Sequence, residues 1–567
     1  MGIFSNVSGL KPGKTAFNLS HTHIFDCNFG ELVPVACLET LPGDVFRLNA
    51  DVVGRLTSAL KSPILSQMDI VLEAFYCPTR LLMGHDANFE TPVGEVTWEE
   101  FISGGKDGAH IGNESYPLPR FSNSDYSFAT SGIGDHLGIQ TGVNISAADS
   151  PISFPWRAYR WIWNEFYRDE NLMDELQVCN YLGTGLNGDS TLIAPADYDK
   201  LLYRCWRKDY FTSALPFQQR GTSPALPISG VLPVNFTKFA VNNPSFVSVG
   251  AFSTDSLYAK SPSDATIVNN GPVSWYSEQA ITVGPGGKIL DRFSGVPDVS
   301  ATVNLQDAAT FDVNQIRTAF QVQKWLERNA RGGVRYTEYL RSHFGVSPSD
   351  ARLQRPQFIG SCRSPWLVNE VLQTSETNAS VTPQGNQAGQ AINLSRNSLG
   401  KFKSYEYGYI IILASVVPKA LYQQGIPKYL SRKFNLDFYT PEFAHLSEQP
   451  VLNKEIYYKA GGNNDGIFGF QPIWNEMRFI PSKVTGHMRT GASGYSFDYW
   501  HFGRNFADTP LLNADFLLIG ANEQAKQELM RVFAVQDENP FIINCGLSIK
   551  ALRPMPYLSE PGLIDHF

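Results

Sequence analysis

The chain is 567 residues long, 43% hydrophobic, 13% aromatic and only 18% charged, with a formal net charge of -8. That composition excludes a disordered or fibrous chain and supplies material for a large core. The mild acidity argues against a wholly basic, nucleic-acid-coating surface while leaving room for a local patch. Low charge with abundant aromatics is also the composition of buried interface centres, so the chain reads as globular and oligomeric.

The opening stretch MGIFSNVSGLKPGKTAF has no apolar signal region, and Asn6 stands where the myristoylation pattern needs Ser or Thr. Next come ELVPVACLET, the turn LPGD, VFRLNADVVGRL and DIVLEAFYCP, rich in β-branched and aromatic residues and punctuated by Pro and Gly, which predicts strands. RAYRWIWNEFYRDENLMDELQ (157–177) carries apolar residues at 159, 162, 163 and 166, the spacing of one helical face. Residues 221–311 contain ten Asp, Glu, Lys and Arg in 91 positions, about 11%, and show no helical period. A structureless loop of that length is improbable in a compact domain. The segment is therefore expected to be a β-rich excursion on the surface, where binding function concentrates.

A helix is predicted from near Asp312, where Asp312 and Gln315 resemble a capping box, to the stop at Gly332–Gly333. The stretch after that stop, to Gly345, is expected to form a second short helix, giving a helical segment over 312–345. Strands follow in YEYGYIIILASVVP and NEMRFIPSKVTG, a helix in ANEQAKQELMRVFA (521–534), and a last strand in PFIINCGLSIKALRPMPY. The longest apolar run, YIIILASVV at 409–417, is nine residues, the length of a buried strand and too short for a membrane span. Strands from both ends and the middle predict one β framework interrupted by insertions, a single domain over 1–567.

The chemistry-bearing patterns are weak. His21 and His23 share a strand face without a carboxylate or third histidine at motif spacing, so no metal is expected. Seven cysteines (Cys27, Cys37, Cys77, Cys179, Cys205, Cys362, Cys545) lack any C-x-x-C pair and read as reduced thiols. GPGGK (284–288) has the wrong glycine spacing for a phosphate loop, and its lysine precedes Ile289. Glu165, Asp169, Glu170, Asp174 and Glu175 crowd one short segment rather than facing each other across a cleft, and are read as a solvated or interface-facing helix face. With G-x-S-x-G and H-E-x-x-H also missing, the chain is expected to be no enzyme and to carry no cofactor.

The stretch RTAFQVQKWLERNARGGVRYTEYLRSHFG (317–345) sets six cations, Arg317, Lys324, Arg328, Arg331, Arg335 and Arg341, against Glu327 and Glu338. Basic residues interleaved with aromatics suit a single-stranded nucleic-acid groove. Yet Ile316, Ala319, Phe320, Val322, Trp325 and Leu326 make much of the helix apolar, which predicts burial against protein. Protein contact is favoured over nucleic acid, with Arg317, Phe320, Trp325, Arg328, Arg331, Arg335 and Tyr336 as subunit-interface candidates.

The chain resembles the major capsid proteins of the Microviridae, small icosahedral single-stranded DNA phages, and specifically their gokushovirus branch. The resemblance is carried in order by NLSHTHIFDCNFGELVPVACLETLPGDVFRLNADVVGRL, FPWRAYRWIWNEFYRDENL, RKDYFTSALPFQQRG, AFQVQKWLERNARGGVRYTEYLRSHFGVSPSDARLQRPQFIGSCRSPW, YQQGIPKYLSRKFNLDFYTPEFAHLSEQ and NPFIINCGLSIKALRPMPYLSEPGL, and is weak over 105–150 and 221–311. It implies a mainly β fold, an eight-stranded antiparallel viral jelly roll whose long insertion loops carry several α-helices. It further implies a virion structural protein that self-assembles into a T=1 icosahedral shell around circular single-stranded DNA, with 221–311 as a threefold-axis protrusion involved in host attachment. The implied partners are further copies of the chain, the packaged DNA, a small basic DNA-binding virion protein and a host-cell surface receptor. Synthesis and assembly are implied in the bacterial cytoplasm, without membrane insertion. Lys11 and Lys14 in the N-terminal arm are the DNA-contact candidates. The alternatives are a secreted β-rich carbohydrate-binding or glycan-cleaving protein and a cytoplasmic single-strand-binding module. No signal peptide or cleft carboxylate pair supports the first, and net charge and length weigh against the second.

Overall fold

The computed structural model describes residues 13–83, 98–122, 124–178, 194–224, 235–236, 301–302, 313–333, 335–372 and 387–558, except 104–117. The chain divides into two compact units, Met1–Arg220 with Glu327–Phe567, and Gly221–Leu326.

The larger unit is built on two antiparallel sheets. Its principal strands are β1 (Thr15–Asn18), β2 (His21–Cys27), β3 (Val33–Thr40), β4 (Val45–Leu56), β5 (Met68–Pro78), β6 (Gln357–Pro365), β7 (Leu367–Leu372), β8 (Gln387–Lys403), β9 (Gly408–Pro418) and β10 (Phe541–Arg553). One sheet runs β1-β10-β4-β8-β7, with β2 also paired to β10; the other runs β6-β5-β9-β3. First and last strands are therefore neighbours, as strands arriving from both ends of the chain require.

Side-chain alternation assigns each face its environment. In β4 the buried residues are Phe46, Leu48, Ala50 and Val52, and Arg47, Val53 and Arg55 point to solvent. In β10, Phe541, Ile543, Cys545, Leu547, Ile549 and Ala551 are buried in the same way. This is the period-two signature of a sheet packed on one face only. The two sheets meet through these rows, with Tyr76 of β5 and Phe402 of β8 at 4.6 Å between ring centroids.

The second sheet shows no such alternation. All but one residue of β5 and of β9 is buried. Even-numbered Tyr76 faces the first sheet, and odd-numbered Phe75 packs on Phe166 at 4.9 Å, in chain inserted between β5 and β6. The YIIILASVV run has no polar alternation because both faces of its strand are covered.

The inserted helix is shorter than the sequence predicts. It spans α1 (Phe154–Ile162) and continues as one wide turn over Trp163–Tyr167. Beyond that the chain folds back, because the Asn164 amide donates to the Leu176 carbonyl and accepts from its N–H. The stretch 475–486 is also no strand: a 3-10 turn at Asn475–Met477 leads to a single bridge between Lys483 and Tyr422. Pro481 cannot donate to a ladder. The last predicted helix is confined to Glu523–Met530. The six described cysteines are free, and no helix among the described residues is long and apolar enough to cross a membrane.

In the smaller unit, Asn235–Phe236 pairs antiparallel with Ala301–Thr302, and most of the 221–311 insertion lies outside the described residues, as does the GPGGK sequence.

Phe541 is fully buried, with Phe29 at 4.7 Å and Trp366 at 5.1 Å between centroids. Phe541→Ala leaves a cavity between the sheets and is expected to cost about 3–5 kcal/mol. Chemical denaturation of the isolated subunit measures this; a loss below about 1 kcal/mol would contradict this packing.

Candidate assembly surface

The basic–aromatic stretch forms two helices, α2 (Val313–Gly332) and α3 (Tyr336–Phe344). The break falls at Gly333, whose φ of +99° suits glycine and whose missing Cβ would lie 2.1 Å from a Glu338 carboxylate oxygen and 2.6 Å from one of Glu170. Asp312, the expected cap, lies outside the described residues. Gly345, at φ +69°, ends α3 in the left-handed conformation common at helix C-termini.

Within the smaller unit, the first part of α2 leaves apolar side chains uncovered. Phe320 is 71% exposed and Trp325 46%, and Val313 and Val322 are also exposed. Arg317, Thr318, Gln321, Val322 and Trp325 line a shallow depression there. The sequence predicted that this breadth of apolar surface would be buried against protein. Within α2 only Ala330, in the last turn, is buried.

Within the larger unit, the C-terminal part of α2 and the start of α3 are held by two arginines. Arg331 donates from Nε to the buried Glu448, which lies at the start of the strand Glu448–Leu452, paired with Ile467–Pro472. Arg335 donates to the carbonyls of Asn164 (2.6 Å) and Arg168 (3.2 Å). These carbonyls close the wide turn after α1, where backbone acceptors lack helical partners and the dipole is negative, so a guanidinium there is favoured twice over. The same guanidinium reaches Glu170 at 3.6 Å, Glu338 at 3.4 Å and Glu165 at 3.9 Å. Arg355 completes the cluster, pairing with Glu165 at 3.4 Å and Asp350 at 2.7 Å while lying over the Phe166 ring.

Four of the five acids read as a solvated or interface-facing face are thus engaged inside the subunit. Glu165 and Glu170 serve Arg335, Asp169 pairs with Lys208, and Glu175 reaches Arg168 at 4.0 Å. Burial, then the hydrogen-bonded carboxyl of Glu170, push Glu338 up from its ordinary value to about 7, although Arg335 pulls it down. The cluster contains no nucleophile with a base and no cleft; its chemistry is anchorage.

Arg317, Phe320, Trp325, Arg328 and Tyr336 are exposed, and Arg331 and Arg335 are engaged within the larger unit. Lys14 is exposed and donates to the Gly43 carbonyl, and Lys11 lies outside the described residues. His21 and His23 donate from Nδ1 to the carbonyls of Leu19 and Val35, and no metal-holding cluster occurs among the described residues. Residue-level sequence reasoning missed a second open apolar surface, where Tyr429, Leu430, Phe434, Leu436, Phe438 and Leu446 are all more than half exposed. Its signal was a run of aromatics with no strand or helix period, broken into short 3-10 turns.

The family described as Capsid protein (F protein) matches residues 5–563. Similar proteins include "Capsid protein VP1" of Chlamydia phage 1, 33% identical over 99% of this chain and 97% of its own length. The capsid protein VP1 of Bdellovibrio phage phiMH2K is 32% identical over 100% and 98%, and that of Spiroplasma virus 4 is 30% identical over 99% and 97%.

A carboxyl held above its unfolded value keeps its proton more tightly in the folded state. Stability from Glu338 is therefore greatest below about pH 4.5 and is lost as pH rises towards 7, with no further loss above. Denaturation midpoints across that window are expected to fall with pH, and Glu338→Gln is expected to flatten the fall at this site; an unchanged slope in the variant would remove Glu338 as its source.

Proposed function

The chain belongs to the capsid protein (F protein) family, and from that premise we propose that copies of it assemble into a T=1 icosahedral shell around circular single-stranded DNA. It is a structural virion protein and not an enzyme, so the glycan-cleaving alternative falls away.

The reading includes an eight-stranded viral jelly roll. Its support is the strand order: numbering β2, β3, β4, β5, β6, β8, β9 and β10 as one to eight, the sheets run 1-8-3-6 and 2-7-4-5. This is the spatial order of two interleaved Greek keys closing a double sheet, a solution to the edge-strand problem used by capsid subunits. The segment 221–311 is the insertion assigned to a threefold protrusion and host attachment, and 312–345 is its helical return. Packaged DNA, a small basic virion protein and a host receptor are the partners of this reading, with assembly in the bacterial cytoplasm.

The observation that carries self-assembly is apolar surface left open on one chain. Exposed Phe320, Trp325 and Tyr336, and the open surface at 429–446, exceed the scattered exposure of a soluble monomer. A shell subunit needs several such patches, because closed symmetry presents different surfaces to different neighbours. In this reading Arg317, Phe320 and Trp325 of the smaller unit contact neighbouring subunits, as do Arg328 and Tyr336 of the larger unit, where Arg331 and Arg335 fix the local chain.

Electron microscopy of the expressed protein tests this directly, with uniform particles expected. Phe320→Asp should lower particle yield at least tenfold, since about 2 kcal/mol lost per interface exceeds that factor. If instead Trp325→Ala and Arg328→Ala leave assembly intact and reduce DNA retention, the helix is a nucleic-acid surface. Deleting 221–311 is expected to abolish host-cell adsorption while particles still form; adsorption at wild-type level would overturn the attachment role.

A further inference from the structure

The outward face of the first sheet carries a charge pattern that its own subunit does not balance. The register places Arg47 of β4 opposite Lys401 of β8 on one side and Lys550 of β10 on the other. All three are exposed, and none has a side-chain partner among the described residues. Like charges directly opposed across strands are destabilising, and here three span two strand spacings of about 4.8 Å.

The surroundings extend the pattern. The next outward rung in one direction is Asn49, Ser398 and Ser548, short polar side chains that would not obstruct an approaching ligand. In the other direction Lys403 lies 4.8 Å from the ring of Tyr405, which is 78% exposed. Over this face Arg55 and Arg396 add positive charge, against Asp26 and Asp51, and Asp51 is paired with Arg396 at 3.4 Å. In a chain of net charge -8, one sheet face is strongly cationic.

We propose that the rung Arg47–Lys401–Lys550, with Lys403 and Tyr405 at its margin, binds the sugar–phosphate backbone of single-stranded nucleic acid. The argument is charge complementarity. A polyanion relieves the cross-strand repulsion that the subunit leaves standing, the flat rung takes no sequence-specific contacts, and Tyr405 offers a stacking face. An apolar partner would gain little from three unpaired cations. The inference deepens the reading of a DNA-enclosing shell and rests on it for the identity of the polyanion.

The test is binding of a fluorescent thymidine oligonucleotide by the full-length soluble protein across a salt series. Wild-type binding is expected to weaken steeply with salt. The triple variant Arg47→Gln, Lys401→Gln, Lys550→Gln should lower the magnitude of the log–log slope by about 2, since each phosphate neutralised on a single strand contributes roughly 0.7. An unchanged slope overturns the proposal, as does a variant that binds normally and fails to form particles, which would make the rung a subunit contact. A melting curve checks the variant's fold. Should it fail to fold, photocrosslinking of the wild-type protein to a 4-thiothymidine oligonucleotide decides: crosslinks in β4, β8 and β10 support the rung, and crosslinks confined elsewhere overturn it. Wild-type particles with no salt-dependent binding sink this inference alone; a protein that binds DNA and never forms particles sinks the shell reading alone.

Discussion

Glu73 sits in the middle of β5, on the face turned away from the first sheet, and pairs with Arg204 at 2.9 Å while accepting from the Tyr167 hydroxyl. Four residues earlier on the same face, the buried Asp69 holds Arg207 and Arg363. A carboxylate taken out of water needs such partners, and removing one would leave a costly uncompensated charge. Arg204, Arg207 and Tyr167 all come from chain inserted between β5 and β6. The second sheet and its insertion are therefore mutually dependent: these carboxylates rely on arginines and a tyrosine from the insertion, and the turn after α1 packs Phe166 and Tyr167 on Phe75 of β5.

That dependence continues into the end of α2 and the start of α3. The wide turn at Trp163–Tyr167 brings Phe166 and Tyr167 onto Phe75, and its open carbonyls are the ones Arg335 caps. Arg335 stands just past Gly333, where α2 gives way to α3. The end of the exposed helix is thus fastened to the insertion that covers the second sheet. Fixing the last turn this way would lower the entropic cost of the subunit contact proposed for the helix, which is how preorganisation adds to affinity.

The sequence was most legible where one physical cause dominates. β4 and β10 show period-two alternation because one face is solvated, and YIIILASVV shows none because both faces are covered. The α2 boundary at Gly332–Gly333 was legible from glycine alone, although the reason for glycine, two carboxyl groups crowding the missing Cβ, was not. The length of the 157–177 helix was overestimated because apolar spacing persists past Ile162 while Asn164 turns the chain through long-range hydrogen bonds. The acids at 165–175 looked solvated because their arginine partners, Arg335 and Arg355, lie more than 150 positions away. The cationic rung was illegible for the same reason. Arg47, Lys401 and Lys550 are single outward positions on three strands, and only the register makes them neighbours.

Charge partition would reconcile an acidic chain with the polyanionic cargo proposed for it. Many acids of this subunit are consumed internally, in Glu73, Asp69, Glu165, Glu170 and Glu448, each held by an arginine of the same chain. The arginines of these pairs carry no net positive charge to the surface, so the cations left over can collect on one face without making the whole subunit basic. A subunit that packs against copies of itself gains from this arrangement, since a uniformly basic surface would repel every neighbour at short range. Segregating uncompensated cations onto one outward sheet face would keep self-repulsion low at the proposed apolar contacts and concentrate attraction for phosphate on that face. The same β framework that buries the core on one side of β4, β8 and β10 thereby supplies, on the other side, the opposed cations on which the proposed contact with nucleic acid rests.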